Sequence, residues 1–400
     1  MGNAALRSRY DAVMMPTYAP SIPLVRGEGC QVWDADGRAY LDLIAGIAVS
    51  ALGHNHPAVV EAVSAQVSRI AHTSNLFFNE PAVELAERIV GLLGGDGRVF
   101  FTNSGTEANE AAYKLVRRHA GPDRPYVVAA ERGFHGRTMG SLALTGKAAI
   151  REPFGPFPAN VVFVPYGDDD ALKNAVGDRT AAVFLEPMLG EGGVIPAPSG
   201  YLKAARELCD ATGTILVLDE IQSGFGRTGA WFMHQAEGVT PDVITLAKGL
   251  GGGLPIGACV GLGAFGSAFA KSDHGSTFGG NPVACAAALA VLDTIESQNL
   301  LANVSTVGAH VREGLAAVDH KALGGVRGRG LWLALELSGV TSAAVEKASR
   351  DKGFLVNAVQ PDAIRIAPPL TLTADEADSY VAALPEILDV AVAVHAGQES

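Results

Sequence analysis

The sequence predicts an α/β fold in which a mainly parallel β-sheet is covered by helices on both faces. Short apolar runs alternate with helical stretches through the middle of the chain, which is typical of this fold class. The runs also lack the polar and apolar alternation of a half-exposed strand, so both of their faces are expected to be buried. The predicted strands cover residues 98–101, 126–129, 161–164, 182–185, 215–218 and 243–246.

The segments before this region are predicted in order as an arm, a hairpin and two helices. Residues 1–20 form an arm that Pro16 and Pro20 keep extended, and 29–42 form a hairpin that turns at Asp36-Gly37. Helices over 57–70 and 81–93 each begin with a proline, whose missing N–H costs nothing in a first turn. The polar and aromatic loop 71–79 between them is expected to line a site.

The pattern changes at about residue 283, where an Ala-rich helix begins a region of mixed helices and strands. We therefore expect a second, smaller α/β domain. The predicted organisation is an N-terminal arm and hairpin over 1–46 that pack with the small domain, a large domain over 47–282 and a small C-terminal domain over 283–400.

Composition excludes several classes of protein. Of the 400 residues, 48% are apolar and 18% are charged, which predicts a sizeable core. The net charge of -12 argues against nucleic-acid binding, which needs a basic surface. No signal peptide or membrane-spanning run is visible, so we expect a cytoplasmic protein. The four cysteines form no C-x-x-C pair, which indicates neither a disulfide framework nor a metal site.

Lys248 is the first candidate catalytic residue. It follows the apolar run 243–247 and precedes the glycine cluster 249–253, so its amine is expected at the end of a buried strand. Desolvation lowers the pKa of such an amine and makes it a nucleophile that can form a Schiff base. Taken alone, a surface lysine is the more frequent interpretation.

Two polar clusters follow the strands at 98–101 and 126–129. Ser104, Gly105 and Thr106 begin a predicted helix, whose free N–H groups form an anion site suited to a phosphate; a simple capping box with Glu107 is the alternative. In the second cluster, Phe134 could cover a planar ring. Arg137 could bind a carboxylate or form an ordinary surface ion pair.

Acidic residues follow the next two strands. Glu186 and Glu191 lie in a glycine-rich loop that could equally be a turn with solvated acids. Asp219 ends the apolar strand 215–218, where an unpaired carboxylate would cost several kcal/mol, so it needs a cationic partner. A protonated pyridine nitrogen is such a partner, and Gln222 could bind the oxygen on the same ring. Together with Lys248, these parts fit pyridoxal 5'-phosphate.

The motifs resemble those of the class III aminotransferases, which have the fold-type I architecture of pyridoxal-phosphate transferases with a seven-stranded sheet. They occur in the order of the family and span nearly the whole chain. The matching segments are 52–57, 102–110, 134–138, 186–187 with 190–193, 218–222, 226–229, 246–249, 275–282 and 365–369.

The resemblance implies a role for each candidate residue. Lys248 would form the Schiff base and Asp219 would pair with the pyridinium, so these two are the catalytic residues. The cofactor would also contact Ser104, Gly105, Thr106, Phe134, Gln222 and, from a neighbouring subunit, Thr277. The substrate would contact Arg137, Glu191, Ser276 and Arg365, with Glu191 and Arg365 acting as a switch. The resemblance thus implies a homodimer with shared sites and no metal.

Within this family, the resemblance implies transfer of the δ-amino group of N2-acetyl-L-ornithine to 2-oxoglutarate, a step of arginine biosynthesis. Other ω-amine donors stay open: succinylornithine, succinyldiaminopimelate, ornithine and 4-aminobutyrate. Glutamate semialdehyde aminomutation shares most of the same parts. His135 and the loop 71–79 favour the acetylated donor, whereas Leu189 replaces a glutamine that the family often has. A dinucleotide-binding loop at 249–253 is disfavoured because the G-x-G-x-x-G spacing is absent.

Overall fold

The computed structural model describes residues 2–398 of the chain. Its helices are α1 (Asn3–Val13), α2 (Ala45–Ala48), α3 (Pro57–Arg69), α4 (Glu80–Leu92), α5 (Gly105–Ala120), α6 (Met139–Leu144), α7 (Ala148–Arg151), α8 (Asp169–Ala175), α9 (Tyr201–Thr212), α10 (Met233–Ala236), α11 (Pro282–Ser297), α12 (Leu300–Ala316), α13 (Ser342–Asp351) and α14 (Ala374–Gln398). Short 3-10 turns lie at Glu152–Phe154, Lys248–Gly251 and Gly263–Ser267.

The strands are β1 (Leu24–Glu28), β2 (Gln31–Asp34), β3 (Ala39–Asp42), β4 (Gly97–Thr102), β5 (Tyr126–Ala130), β6 (Asn160–Val164), β7 (Thr180–Leu185), β8 (Met188–Leu189), β9 (Ile195–Pro196), β10 (Ile215–Asp219), β11 (Val243–Leu246), β12 (Gly257–Leu262), β13 (Leu323–Arg329), β14 (Trp332–Leu337), β15 (Phe354–Leu355), β16 (Asn357–Gln360) and β17 (Ala363–Ile366). All six strands predicted in the central region are present, as are the hairpin β2–β3 and the helices at 57 and 81.

The largest sheet has seven strands in the order β4-β12-β11-β10-β7-β5-β6. Only β12 runs against its neighbours, β11 and β4, so the sheet is mainly parallel as predicted. Strand β12 is not among the strands predicted from the sequence. A short connection through the glycine cluster suffices for this strand, because an antiparallel neighbour needs no crossover helix.

Helices cover both faces of this sheet, as the apolar strands predict. Along β10, Ile215 and Val217 pack in a cluster with Val116 of α5. Leu216 and Leu218 pack instead in a cluster with Leu202 of α9. Because successive side chains of a strand point to opposite faces, this alternation places α5 and α9 on opposite sides of the sheet. The layers leave the carboxyl ends of the strands accessible from one edge.

Besides the large sheet, the described residues form two four-stranded sheets and the two-stranded sheet β8-β9. The order β13-β14-β17-β16 makes up the C-terminal sheet, and β1-β2-β3-β15 joins the N-terminal hairpin to a strand from the end of the chain. Helix α11 packs on two sides. Cys285 and Leu292 lie in one apolar cluster with residues of α4, whereas Val291 and Ile295 lie in another with residues of the C-terminal sheet. The division at residues 46 and 282 stays a prediction.

The N-terminal arm differs from the extended conformation predicted for it. Residues 3–13 form α1, because the prolines that prevent a helix begin only at Pro16. Asn3 fastens this helix to the hairpin: its amide nitrogen donates to Asp34 Oδ2 and its backbone N–H donates to Asp36 Oδ1, both over 3.0 Å. Helix α1 buries none of its side chains within this chain.

The four cysteines are buried and form no disulfide with one another. Across the described part of the chain, we find no helix with the length and apolarity needed to cross a bilayer.

Candidate active site

A cavity of about 420 Å³ opens at the carboxyl edge of the seven-stranded sheet, just beyond the ends of β4, β10 and β11. Most of the sequence motifs meet in its walls. The lining residues are Val49, Asn103, Ser104, Gly105, Thr106, Phe134, His135, Gly136, Arg137, Glu186, Glu191, Asp219, Ile221, Gln222, Ala247, Lys248, Gly253, Leu254, Pro255 and Ile256.

Lys248 lies on the cavity wall directly after β11, as predicted. Its backbone has a φ of 44°, in the left-handed region that a non-glycine residue rarely adopts. Such strain persists where the surroundings fix a side chain for function. Burial lowers the pKa of the amine to about 8, and the Arg365 guanidinium adds to this effect. A substantial neutral fraction is therefore available as a nucleophile or base near physiological pH.

Asp219 ends β10 and is buried, at 5% exposure. Its Oδ2 atom is 2.7 Å from both Asn109 Nδ2 and His135 Nδ1, while Oδ1 accepts the Ile221 N–H over 3.1 Å. Asn109 is fixed in turn, because its Oδ1 accepts from Thr245 Oγ1 over 2.8 Å. Hydrogen bonds of this kind hold a buried carboxylate in place and satisfy it while it faces the cavity.

The N-terminus of α5 supplies the anion site. Ser104 is the N-cap, and its hydroxyl accepts the Glu107 N–H over 3.3 Å. The Glu107 carboxylate accepts the Asn103 N–H and not that of Ser104, so only half of the alternative capping box is formed. The N–H groups of Gly105 and Thr106 lie in the first turn, where no helical carbonyl can accept from them. The Thr106 hydroxyl is otherwise engaged, because it accepts the N–H groups of Arg137 and Thr138 over 3.0 and 3.1 Å. Backbone N–H groups and the helix dipole at this end of α5 can therefore bind an anion such as a phosphate.

Glu186 joins two loops of the cavity wall. Its Oε1 accepts the Phe134 N–H over 2.9 Å, and its Oε2 accepts the Gly190 N–H over 3.0 Å. Burial raises the pKa of this carboxyl to about 7. The Glu186 side chain thereby sets the position of the Phe134 ring on one side and of the loop that contains Glu191 on the other.

Arg365 enters the site from β17 of the C-terminal sheet and is 1% exposed. Its Nη1 is 2.6 Å from Glu191 Oε1 and 3.2 Å from Gln222 Oε1, and its Nη2 donates to Asn357 Oδ1 over 2.8 Å. Burial by itself would raise the pKa of Glu191, but the neighbouring Arg365 guanidinium outweighs burial and lowers it. Glu191 and Arg365 thus form a largely buried ion pair beside the cavity.

The remaining substrate candidates lie near the mouth. Arg137 is exposed, and its Cζ atom is 5.8 Å from the centroid of the Phe134 ring. Within residues 2–398, neither Ser276 nor Thr277 lines the cavity, although Ser276 Oγ accepts from Asn103 Nδ2 over 3.2 Å. Thr277 is exposed, which leaves its side chain accessible to a second copy of the chain.

One expectation from the sequence is corrected, and another stays a prediction. His135 lines the cavity while its Nδ1 pairs with Asp219, and its preference for an acetylated donor stays a prediction. The loop 71–79 does not line the cavity of its own chain; its Asn75 amide donates instead to the carbonyls of Ser276 and Gly279, over 2.8 and 3.0 Å. His135 and Asp219 are both buried and come from distant parts of the chain, so the spacing of the sequence motifs could not reveal the contact between them.

Comparison with known proteins agrees with this geometry. The Aminotransferase class-III family model matches residues 14–388, which is most of the chain. The chain belongs to the class III aminotransferases. It is a pyridoxal-phosphate-dependent enzyme that transfers amino groups.

Relatives of this aminotransferase with curated names are similar over nearly their whole length. The acetylornithine aminotransferase of Mycolicibacterium smegmatis is 55% identical over 96% of this chain and 98% of its own. The acetylornithine aminotransferase of Streptomyces coelicolor is 54% identical over 98% of this chain and 97% of its own.

Solved structures of aminotransferases have the same fold. The ornithine aminotransferase from Toxoplasma gondii matches with a TM-score of 0.93 and 31% identity, over 97% of this chain and 95% of that one. The N-acetylornithine aminotransferase from Stenotrophomonas maltophilia matches with a TM-score of 0.84 and 37% identity, over 97% and 99% of the two chains. These matches confirm the fold-type I architecture expected from the sequence.

The residues of this aminotransferase fit the cofactor. The buried Gln222 Nε2 atom has no hydrogen-bond partner among the residues that the structure describes, and Gln222 lines the cavity beside Asp219. An unsatisfied buried donor of this kind is costly unless a bound group accepts from it. An anion site, a buried carboxylate and an amine with a lowered pKa open into the same space, and these are the groups that a phosphate, a pyridinium and an aldehyde require.

Proposed function

We propose that this enzyme transfers the δ-amino group of N2-acetyl-L-ornithine to 2-oxoglutarate, giving N-acetyl-L-glutamate 5-semialdehyde and L-glutamate, as a step of arginine biosynthesis. The observation on which the proposal rests most is the similarity to acetylornithine aminotransferases at 50–55% identity over 94–99% of the chain. The cavity supports it, because Arg137 lines it and Arg365 lies directly behind the lining residues Glu191 and Gln222, so the two guanidinium groups can bind the carboxylates of donor and acceptor.

The cofactor is held by groups that face the cavity. The N–H groups of Gly105 and Thr106, after the Ser104 cap, would bind the phosphate, and Phe134 would lie against the ring. Asp219 would keep the ring nitrogen protonated, and the free Gln222 amide would donate to the ring oxygen. When bound, pyridoxal phosphate withdraws electrons from the amine-bearing carbon of the substrate and so makes its proton acidic.

Lys248 Nζ moves that proton. The amine is already near the pKa that suits a general base at physiological pH, since burial and Arg365 lower its pKa to about 8. It would take the proton from the substrate carbon and give it to the cofactor carbon in the first half of the reaction, and it would move a proton from the cofactor carbon to the acceptor carbon in the second half.

Arg137 and Arg365 bind the substrates. Arg137 is exposed at the mouth and would form a paired hydrogen bond with the α-carboxylate of N2-acetylornithine. During this half of the reaction Glu191 neutralises Arg365. The acceptor 2-oxoglutarate carries a second carboxylate, so Arg365 would have to leave Glu191 in order to bind it. Ser276 lies close enough to Asn103 to contact a substrate at the same edge.

Each site is proposed to need two subunits. Thr277 would reach the phosphate of the partner's cofactor, and large apolar side chains near it are exposed in the single chain. Leu76 is 86% exposed and Phe78 is 91% exposed, whereas such side chains are normally covered. A second copy of the chain would bury them. The cytoplasmic location expected from the sequence stays a prediction.

A second donor, ornithine, is favoured by one observation, the TM-score of 0.93 with an ornithine aminotransferase at 31% identity. The two proposals are distinguished by adding either donor to the purified enzyme and following the cofactor absorbance. Conversion by N2-acetylornithine, reversed by 2-oxoglutarate, is the expected result. Conversion by ornithine alone would transfer the assignment to that donor.

A further inference from the structure

The backbone of the loop that contains Glu191 is held in place from several directions. Side chains from separate parts of the chain donate to successive carbonyls of this loop. These are Lys147 Nζ and Gln360 Nε2 on the Glu191 carbonyl over 2.7 and 2.6 Å, Arg132 Nη2 on the Gly192 carbonyl over 2.6 Å, and Arg327 Nε on the Gly193 carbonyl over 2.8 Å. Because these hydrogen bonds fix its carbonyls, the loop backbone cannot shift easily. Any movement of Glu191 must therefore take place in its side chain.

The Glu191 carboxylate lies between two cations. Its Oε1 is 2.6 Å from Arg365 Nη1, and its Oε2 is 3.9 Å from Lys147 Nζ. The ammonium group has three N–H donors, and the Glu191 carbonyl occupies one of them. If the Glu191 side chain changes its rotamer, Lys147 can therefore donate to the Glu191 carboxylate while it still donates to the loop backbone.

A second cation is needed only if Glu191 leaves Arg365, and this step rests on the proposed function, in which Arg365 binds a carboxylate of the acceptor. A carboxylate that is pulled from a buried guanidinium and left without a partner is strongly destabilised. Glu191 is 28% exposed in its side chain, so water alone would compensate only in part.

We propose that Lys147 is a positioning residue that receives the Glu191 carboxylate while Arg365 holds the acceptor. The ion pair of Glu191 with Arg365 is then replaced by one of Glu191 with Lys147. The acceptor's carboxylate can therefore bind Arg365 without the free-energy cost of leaving Glu191 unpaired. Lys147 makes no contact with the reacting carbon in this arrangement. Its side chain is 25% exposed, and burial lowers its pKa while Glu191 and Glu186 counteract this effect.

The test uses the holoenzyme and glutarate, an unreactive dicarboxylate that can bind Arg137 and Arg365 together, with calorimetry as the readout. In Lys147→Gln the side chain can still donate to the Glu191 carbonyl but has no charge. We expect it to weaken glutarate binding about fivefold, the scale of one partly exposed ion pair, and to raise the KM for 2-oxoglutarate similarly. Lys147→Arg is expected to restore both values.

Two controls separate charge transfer from support of the loop. In a Glu191→Gln background there is no charge to receive, so Lys147→Gln is expected to change glutarate binding by less than about twofold. Arg132→Gln removes a different loop contact and is expected to leave glutarate binding unchanged. Unchanged binding in Lys147→Gln would overturn the proposal. So would a loss that persists in the Glu191→Gln background or that Arg132→Gln reproduces.

Failure of the proposed function would give a different result. A wild-type enzyme that ignores N2-acetylornithine but binds glutarate would refute the donor assignment, and the Lys147 comparison would still be decided by glutarate alone.

Discussion

Replacement of Gly190 by alanine tests how closely the acidic loop approaches the cofactor site. The backbone of Gly190 lies outside the left-handed region, so alanine brings no backbone strain. A Cβ at this position would, however, overlap Gln222 Oε1 and come within 3.1 Å of Trp332 Cζ2. Trp332 is fully buried and cannot give way. The Gln222 side chain must therefore move, and it can move only by leaving Arg365 or the space beside the cofactor.

The expected loss follows from the contacts that Gln222 makes. A neutral hydrogen bond to the cofactor contributes about 0.5–1.5 kcal/mol. The 3.2 Å contact with Arg365 adds less than a full charge-assisted bond, because Glu191 and Asn357 still hold the guanidinium. A total of about 2 kcal/mol corresponds to roughly thirtyfold weaker cofactor binding at 1.4 kcal/mol per factor of ten.

The assay is equilibrium titration of the cofactor-free protein with pyridoxal phosphate, followed by absorbance, with thermal unfolding measured alongside. Gly177→Ala is the matched control, since nothing lies within 4 Å of a Cβ there. In a Gln222→Ala background the overlap with Oε1 is gone and only the 3.1 Å approach to Trp332 remains, so Gly190→Ala should weaken cofactor binding much less than it does in the wild type. Wild-type affinity in Gly190→Ala, or losses in the double variant that simply add, would refute the reasoning.

Three further predictions follow from the site. In the cofactor-free protein the pKa of the Lys248 amine is lowered from 10.5 to about 8, so its labelling by an amine-directed reagent should have a midpoint near pH 8. Arg365→Met removes a neighbouring positive charge and should raise this midpoint. Asn109→Ala removes a charge-assisted bond to Asp219 and leaves the Thr245 hydroxyl without its acceptor. It should weaken cofactor binding about tenfold or more by titration, with Lys248 labelling as a check on folding. Lys248→Ala is expected to be inactive, and Thr277→Ala to have strongly reduced activity at limiting cofactor, because it loses one hydrogen bond to a charged phosphate. Mixing and refolding the two should raise the activity above that of Thr277→Ala alone, because mixed dimers contain one complete site; no increase would contradict the shared site.

Much of the fold can be read from the chain because its strands are buried on both faces. A run such as 215–218 has no polar position, which favours a parallel sheet under helices, and the position of Asp219 and Lys248 directly after two such runs brings both to one edge. The N-terminal arm was harder to predict, since Pro16 and the later prolines restrict only their own neighbourhood and α1 has no buried face.

The sequence by itself determined that the motif at 104–106, Asp219 and Lys248 meet at the carboxyl edge, because local strand and turn patterns fix where each of them leaves the sheet. It could not determine the contacts between distant segments. Asn109 and His135 both bind Asp219, and Lys147 lies against Glu191, yet none of these pairs shares a repeat or a spacing. Such contacts depend on how the helices and loops pack over the sheet, and hydrogen bonds among buried groups are specified by that packing and not by any local pattern. Only the tertiary structure shows that Glu191 has a second cation within reach.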